Sequence, residues 1–237
     1  MPSGETSLFA LAREPRLRPV VRASVTLGVA VGVFAISFGV GAVSAGGSTL
    51  QACAMSLLVF TGASQFSAVS VIAAGGSTGS ALGGALLLSA RNGVYGLAMS
   101  RHLDGPLVNR LVAAQLTIDE STAMALAQDD EPARRAAFWI TGLSVFVFWN
   151  LGTLIGALIG NAINPETFGL DAAFPAAFVA MLWPHLRTSR GRIAAALGAI
   201  VCLSLIPFVP VGVPILCASL AVLVGVPVPA VDKRVPA

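Results

Sequence analysis

Charge is scarce in this sequence. Asp, Glu, Lys and Arg together make up 11% of its 237 residues, where a soluble domain carries about 25%. What charge there is clusters. The 68 residues between Arg22 and Arg91, the 30 between Arg135 and Glu166 and the 39 between Arg192 and Asp232 contain none. Histidine and cysteine are equally thin, with two and three copies. Cys53, Cys202 and Cys217 stand singly in apolar runs, without the spacing of a disulfide framework or a zinc site. His102 and His185 lie too far apart in sequence to supply the three or four convergent ligands of a metal centre. There is no GxxxxGK(S/T) phosphate loop and no soluble stretch long enough for a nucleotide-binding domain, which excludes ATP hydrolysis on this chain. The net charge of +3 comes from flanking arginines and includes no basic patch interleaved with aromatics, which excludes nucleic acid as a partner. Nothing in the sequence asks for a cofactor.

Apolar residues make up 56%, and the mean hydropathy is +0.85. About 20 apolar residues carry a helix across the hydrocarbon layer, so the first charge-free run alone holds about three crossings. Outer-membrane strands alternate apolar and polar residues; these runs do not. The sequence reads as an all-α polytopic integral membrane protein of seven to eight transmembrane helices, some of them broken. Residues 1–20 form a cytoplasmic tail with three prolines and three arginines, 21–228 the membrane domain, and 229–237 a second tail. The apolar stretch after Arg22 is too long for a cleaved signal peptide and reads as a retained helix over 23–43. Further helices are expected over 50–74, 80–100, 111–127, 136–160, 172–186, 193–208 and 211–226, separated by Gly/Ser clusters, by Asp129-Asp130-Glu131-Pro132 and by Pro207, Pro210 and Pro214. Arginines and lysines concentrate before 22, in 101–110, at 134–135, in 187–192 and at 233–234. By the positive-inside rule these face the cytoplasm. Eight crossings satisfy every group except loop 101–110, which returns to the cytoplasm only if 111–127 does not span and one of the first three segments dips in and out.

Small residues recur at four-residue spacing at Gly28 and Gly32, at Gly79 and Gly83, and at Gly152, Gly156 and Gly160. Such stripes let helix backbones approach closely, within the chain or against another copy. Trp139 and Trp183 fit an interfacial aromatic belt, and Trp149 falls mid-helix as a packing residue.

Ionisable groups inside apolar helices are costly and mark function. Arg91-Asn92 sits in the middle of 80–100, and Asp119-Glu120 halfway along 111–127. Adjacent acids diverge by about 100° on a helix, so one of them can face a cavity while the other caps or pairs elsewhere. Pairing Arg91 with Asp119 or Glu120 lowers the cost of both. In Phe60-Thr61-Gly62-Ala63-Ser64-Gln65-Phe66 the small residues offer a place for a helix to break. A broken helix presents backbone N–H groups that can hold a carboxylate, and Gln65 is an amide too polar to face lipid.

The segment Phe60–Phe66, then Ser89-Ala90-Arg91-Asn92-Gly93-Val94-Tyr95-Gly96, then Thr117-Ile118-Asp119-Glu120-Ser121, closely resembles the AzlC family of bacterial branched-chain amino acid permeases, the large subunits of LIV-E-type exporters. The resemblance runs from Phe38-Gly39 to about Arg187 and is strongest over 56–122. Asn92 stands where the family more often has histidine, which argues against a proton carrier at that position here. The resemblance implies a permease exporting branched-chain and related apolar amino acids across the cytoplasmic (inner) membrane, together with a small membrane subunit of the AzlD type. The roles of individual residues follow from their chemistry instead. Gly62, Ala63, Ser64, Gln65, Arg91, Asn92 and Tyr95 are the candidate substrate-binding residues, and Asp119 and Glu120 the candidate coupling pair. With ATP excluded, uphill export needs an ion gradient, and a carboxyl that trades a proton for substrate supplies the link. A channel, and a subunit inactive without its partner, remain the rival readings; adjacent, diverging acids are the wrong geometry for a membrane aspartyl protease.

Overall fold

A computed structural model describes residues 14–162 and 182–221 and the single positions 176, 179 and 223. The 229–237 tail, most of 1–20 and most of 172–186 lie outside the described residues. The described residues are helical, without strands. A turn at Pro15–Leu17 leads into α1 (Arg18–Ser44). Then come α2 (Thr49–Val59), α3 (Ala63–Ala73), α4 (Thr78–Met99), α5 (Leu107–Gln115), α6 (Asp119–Leu126), α7 (Glu131–Ala162), α8 (Ser189–Leu205) and α9 (Val213–Ala218). Two helices among the described residues are long and apolar enough to cross a membrane, Pro15–Ser44 and Glu131–Ala162.

The helix starts follow local chemistry. Ser48 accepts from the Gln51 N–H while the Gln51 side chain accepts from the Ser48 N–H, a reciprocal cap on α2. Ser77 caps α4 through the Ser80 N–H, and Thr188 caps α8 through Gly191. Asp130 caps α7 by accepting from the Ala133 N–H. Pro132 therefore sits in the first turn of α7, where a missing N–H costs nothing.

Two segments read from the sequence as single helices are each divided. Residues 50–74 become α2 and α3, parted at Phe60–Gly62, where the break was expected; 111–127 becomes α5 and α6, parted at Leu116–Ile118. At the first break Gly62 holds φ +60° and ψ −91°, a conformation that L side chains avoid.

α1 and α7 form the spine. The glycine stripes on both helices interlock: Gly28 faces Ser144, Gly32 faces Phe148, Gly39 faces the Thr153 carbonyl, Gly152 the Gly32 carbonyl and Gly156 the Ile36 carbonyl. Positions rise together on both helices, so α1 and α7 run in the same direction. Buried hydroxyls join the same seam, Ser24 to Thr141 at 2.7 Å. These stripes pack inside the chain. Gly83 behaves differently and only touches the Leu216 side chain of α9.

At the N-terminal ends of the spine, Arg16 pairs with Asp130 at 2.9 Å, and His102, just past α4, pairs with Glu131 at 2.9 Å. α4 therefore runs against α7. At the opposite end the Asn161 amide donates to Thr49 at the start of α2. From there Ser56 meets Thr153 at 3.1 Å and Phe60 meets Phe146, so α2 descends along α7 towards mid-depth, and α3 climbs back beside α4. The core lies at the join: Phe38 stacks on Trp149, and Phe66 packs against Phe34, Phe38 and Trp149. The three cysteines are free and half-buried.

Candidate functional site

Both breaks face one cavity of about 310 Å³, within the range of small-molecule sites. Its wall combines Ala30, Val31 and Phe34 of α1, Phe60 to Ala63 at the first break, Arg91 of α4, Ile118 to Glu120 at the second break, and Val145 and Trp149 of α7.

Each break is closed by the same local device. Gly62 N–H donates to Oε1 of Gln65, three residues on, and Ile118 N–H donates to Oγ of Ser121, also three on. These bonds spare two backbone donors that a broken helix would leave bare. Gln65 also donates from Nε2 to the Met55 carbonyl, stitching α3 back to α2. Its side chain is fully buried, and both ends of its amide are spent on the break. Ser64 bonds to Thr61 across the same turn.

Arg91 links the two breaks. Its Nη1 lies 3.4 Å from Oδ2 of Asp119, and its Nη2 donates to the Thr61 carbonyl at 3.3 Å. Of the two pairings open to the sequence, the structure adopts Arg91 with Asp119. Gln115 adds a second tie, donating to the Leu57 carbonyl at 2.9 Å. Asp119 and Glu120 both line the cavity rather than diverging between it and the exterior, because they occupy the first turn of α6 and flank the break together. The Asp119 carboxylate, paired with Arg91, complements the positive end of that helix. The first turn of α3 carries no acid, so its positive end stays uncompensated.

Of the residues singled out in the sequence, the cavity gathers Gly62, Ala63, Arg91, Asp119 and Glu120. Ser64 and Gln65 stand behind the first break. Asn92 and Tyr95 are half-buried on α4 and do not line the cavity. The apolar wall from α1 and α7 was not foreseen. Phe34 and Val145 sit in featureless apolar runs, and the one signal was Trp149, a tryptophan far from either end of its helix.

The described residues are all helical, with two long apolar helices and two broken segments that meet at one cavity where ionisable side chains face an apolar wall, an arrangement that fits a helical membrane protein. The family model described as AzlC protein matches residues 26–163, more than half of the chain, and the chain belongs to the AzlC family. It is 28% identical over 207 residues to the inner membrane protein YgaZ of Escherichia coli K12, covering 80% of this chain and 82% of that one. It is 28% identical over 170 residues to the branched-chain amino acid transport protein AzlC of Bacillus subtilis 168, covering 70% and 63%. An uncharacterized membrane protein of Helicobacter pylori 26695 is 26% identical over 175 residues, covering 72% and 77%. No solved structure matches the chain.

Proposed function

We propose that the chain is a secondary transporter that exports branched-chain and related apolar amino acids across the bacterial inner membrane, coupled to protons. The observation that carries this reading is the meeting of both breaks and Arg91 at one cavity with an apolar wall. A zwitterion asks for donors at one end, acceptors at the other and apolar surface between. The uncompensated start of α3 offers N–H groups to a carboxylate. Asp119 and Glu120 outnumber Arg91 and leave acid to spare for the ammonium. Val31, Phe34, Phe60 and Val145 offer the side-chain wall.

The acid pair is also the coupling element. A carboxyl that binds either the ammonium or a proton cannot hold both, which makes the two compete and links their movements. Arg91 and Asp119 keep 33% and 45% of their side chains exposed in the single chain. Lipid on that flank would be expensive for an ion pair, which supports a small AzlD-like membrane subunit closing it.

Leucine export from proteoliposomes, with and without the small subunit and with an imposed pH gradient, tests the reading. Gradient-driven leucine movement and acceleration by leucine on the far side are the expected results. Flux indifferent to leucine on the far side makes the protein a channel; no movement of any apolar amino acid in either reconstitution removes the transport reading.

A further inference from the structure

The two broken segments bear an inverse relation to each other. α1 runs from the arginine-rich end of the spine to the opposite end, where the chain turns through Gly46-Gly47 and starts α2. α2 comes back to mid-depth, breaks at Phe60–Gly62, and α3 returns to the end it left. α4 then runs the other way, from that end to the His102–Glu131 pair. There the chain turns through Gly105-Pro106 into α5, breaks at Leu116–Ile118, and α6 returns to Asp130 and its ion pair with Arg16. Each unit is one long helix followed by a hairpin of two short ones. The long helices are antiparallel, and the hairpins dip in from opposite ends and meet at their tips, where Gln115 bonds the Leu57 carbonyl.

The sequences at equivalent places agree where geometry demands it. Thr61 and Thr117 are the middle residues of the two breaks. Gly62 and Ile118 begin each second half-helix and donate to the side chains of Gln65 and Ser121. Phe60 and Leu116 are both buried beside them. The units differ where a zwitterion needs them to differ: Ala63 and Ser64 occupy the places held by Asp119 and Glu120. One tip leaves the positive end of its second half-helix without an acid, and the other carries two acids.

We propose that residues 18–73 and 78–126 are an inverted repeat, and that its hairpin tips are two gates that part alternately towards opposite faces of the membrane. The gating half of this rests on the transport reading; the repeat does not. Two copies of one unit related by a two-fold axis in the membrane plane give two equivalent arrangements, one open to each side. In the arrangement seen here the tips are held together by Arg91, through Asp119 and the Thr61 carbonyl, and by Gln115.

Single cysteines in a chain whose native cysteines are replaced by alanine test the repeat. Ser48→Cys and Ser77→Cys are expected to react with a membrane-impermeant thiol reagent from one face, and Asp104→Cys and Asp129→Cys from the other. Any other distribution overturns it, and ordinary crossing of 49–73 would put Ser48 and Ser77 on opposite faces. The gates are tested by bridging Leu57→Cys to Gln115→Cys with a short bis-methanethiosulfonate cross-linker, which joins the two thiols through reducible disulfides. Bridging is expected to stop leucine exchange, and reduction to restore it; normal exchange by the bridged protein overturns the gating. Labelling needs no substrate, so a protein that moves no amino acid but labels as expected loses the transport reading and keeps the repeat.

Discussion

Gly152 lies so close to the carbonyl of Gly32 that no β-carbon fits between α7 and α1. The same holds for Gly156 against Ile36 and Gly39 against Thr153. The spine is therefore a backbone-to-backbone contact, and the depth of every cavity residue on either helix is fixed by it.

Alanine at Gly152 or Gly156 is expected to push the helices apart, at the cost of an overpacked contact, about 1–3 kcal/mol. Thermal unfolding in detergent checks this. Gly83→Ala meets only the tip of the Leu216 side chain, at 3.4 Å, and is expected to unfold close to the unaltered protein. Equal losses at both sites would show that the seam is not special.

Gly62→Ala meets no atom nearer than the 3.7 Å of the Trp149 ring, so its penalty is conformational. Holding alanine at φ +60° and ψ −91° costs about 1–3 kcal/mol. Relief of that strain would close the break towards a continuous helix. Transport is expected to fall further than the shift in melting temperature alone explains. A normal transport rate would show that the break has no role in binding.

Gln65→Leu removes the acceptor of the Gly62 N–H and the bond that stitches α3 to the Met55 carbonyl of α2. Leaving the Gly62 N–H without a partner costs about 1–3 kcal/mol, so a clear drop in melting temperature is expected. Gln65→Glu keeps the acceptor for Gly62 but sets a buried carboxylate against the Met55 carbonyl, so its fall at neutral pH is expected to be at least as large and to ease as the pH is lowered and the carboxyl takes up a proton.

Arg91→Ala and Asp119→Ala are expected to abolish transport singly. In a double-mutant cycle on stability the coupling is expected to be about 1 kcal/mol or less, because the pair is partly exposed. Additive losses would mean that the 3.4 Å contact contributes nothing to the fold.

Glu120→Gln retains shape and removes the titrating proton. Exchange of leucine across a membrane without a pH gradient is expected to continue, while accumulation driven by a pH gradient is lost. Undiminished gradient-driven accumulation would move the coupling role away from this residue.

Much of this was legible in one dimension. Charge-free runs announced long apolar helices, and the Gly-Ala-Ser triplet before Gln65 located the first break. Ionisable residues stranded among apolar ones, Arg91, Asp119 and Glu120, named three members of the cavity. Their cost in lipid is paid locally, so it leaves a local mark. The second break left a weaker one, since Leu-Thr-Ile carries no glycine and a β-branched pair is tolerated in a continuous helix.

What the sequence determined by itself was the solvent of the protein and the identity of its expensive side chains, because transfer free energies belong to residues one at a time. Which residues form the apolar wall, which acid takes Arg91, and the return of both hairpins to the ends they left depend on contacts between positions far apart in the chain. Gly32 and Gly152, or Leu57 and Gln115, carry no sign of one another until the helices are packed, and only that packing turned two broken segments into facing tips around a common space.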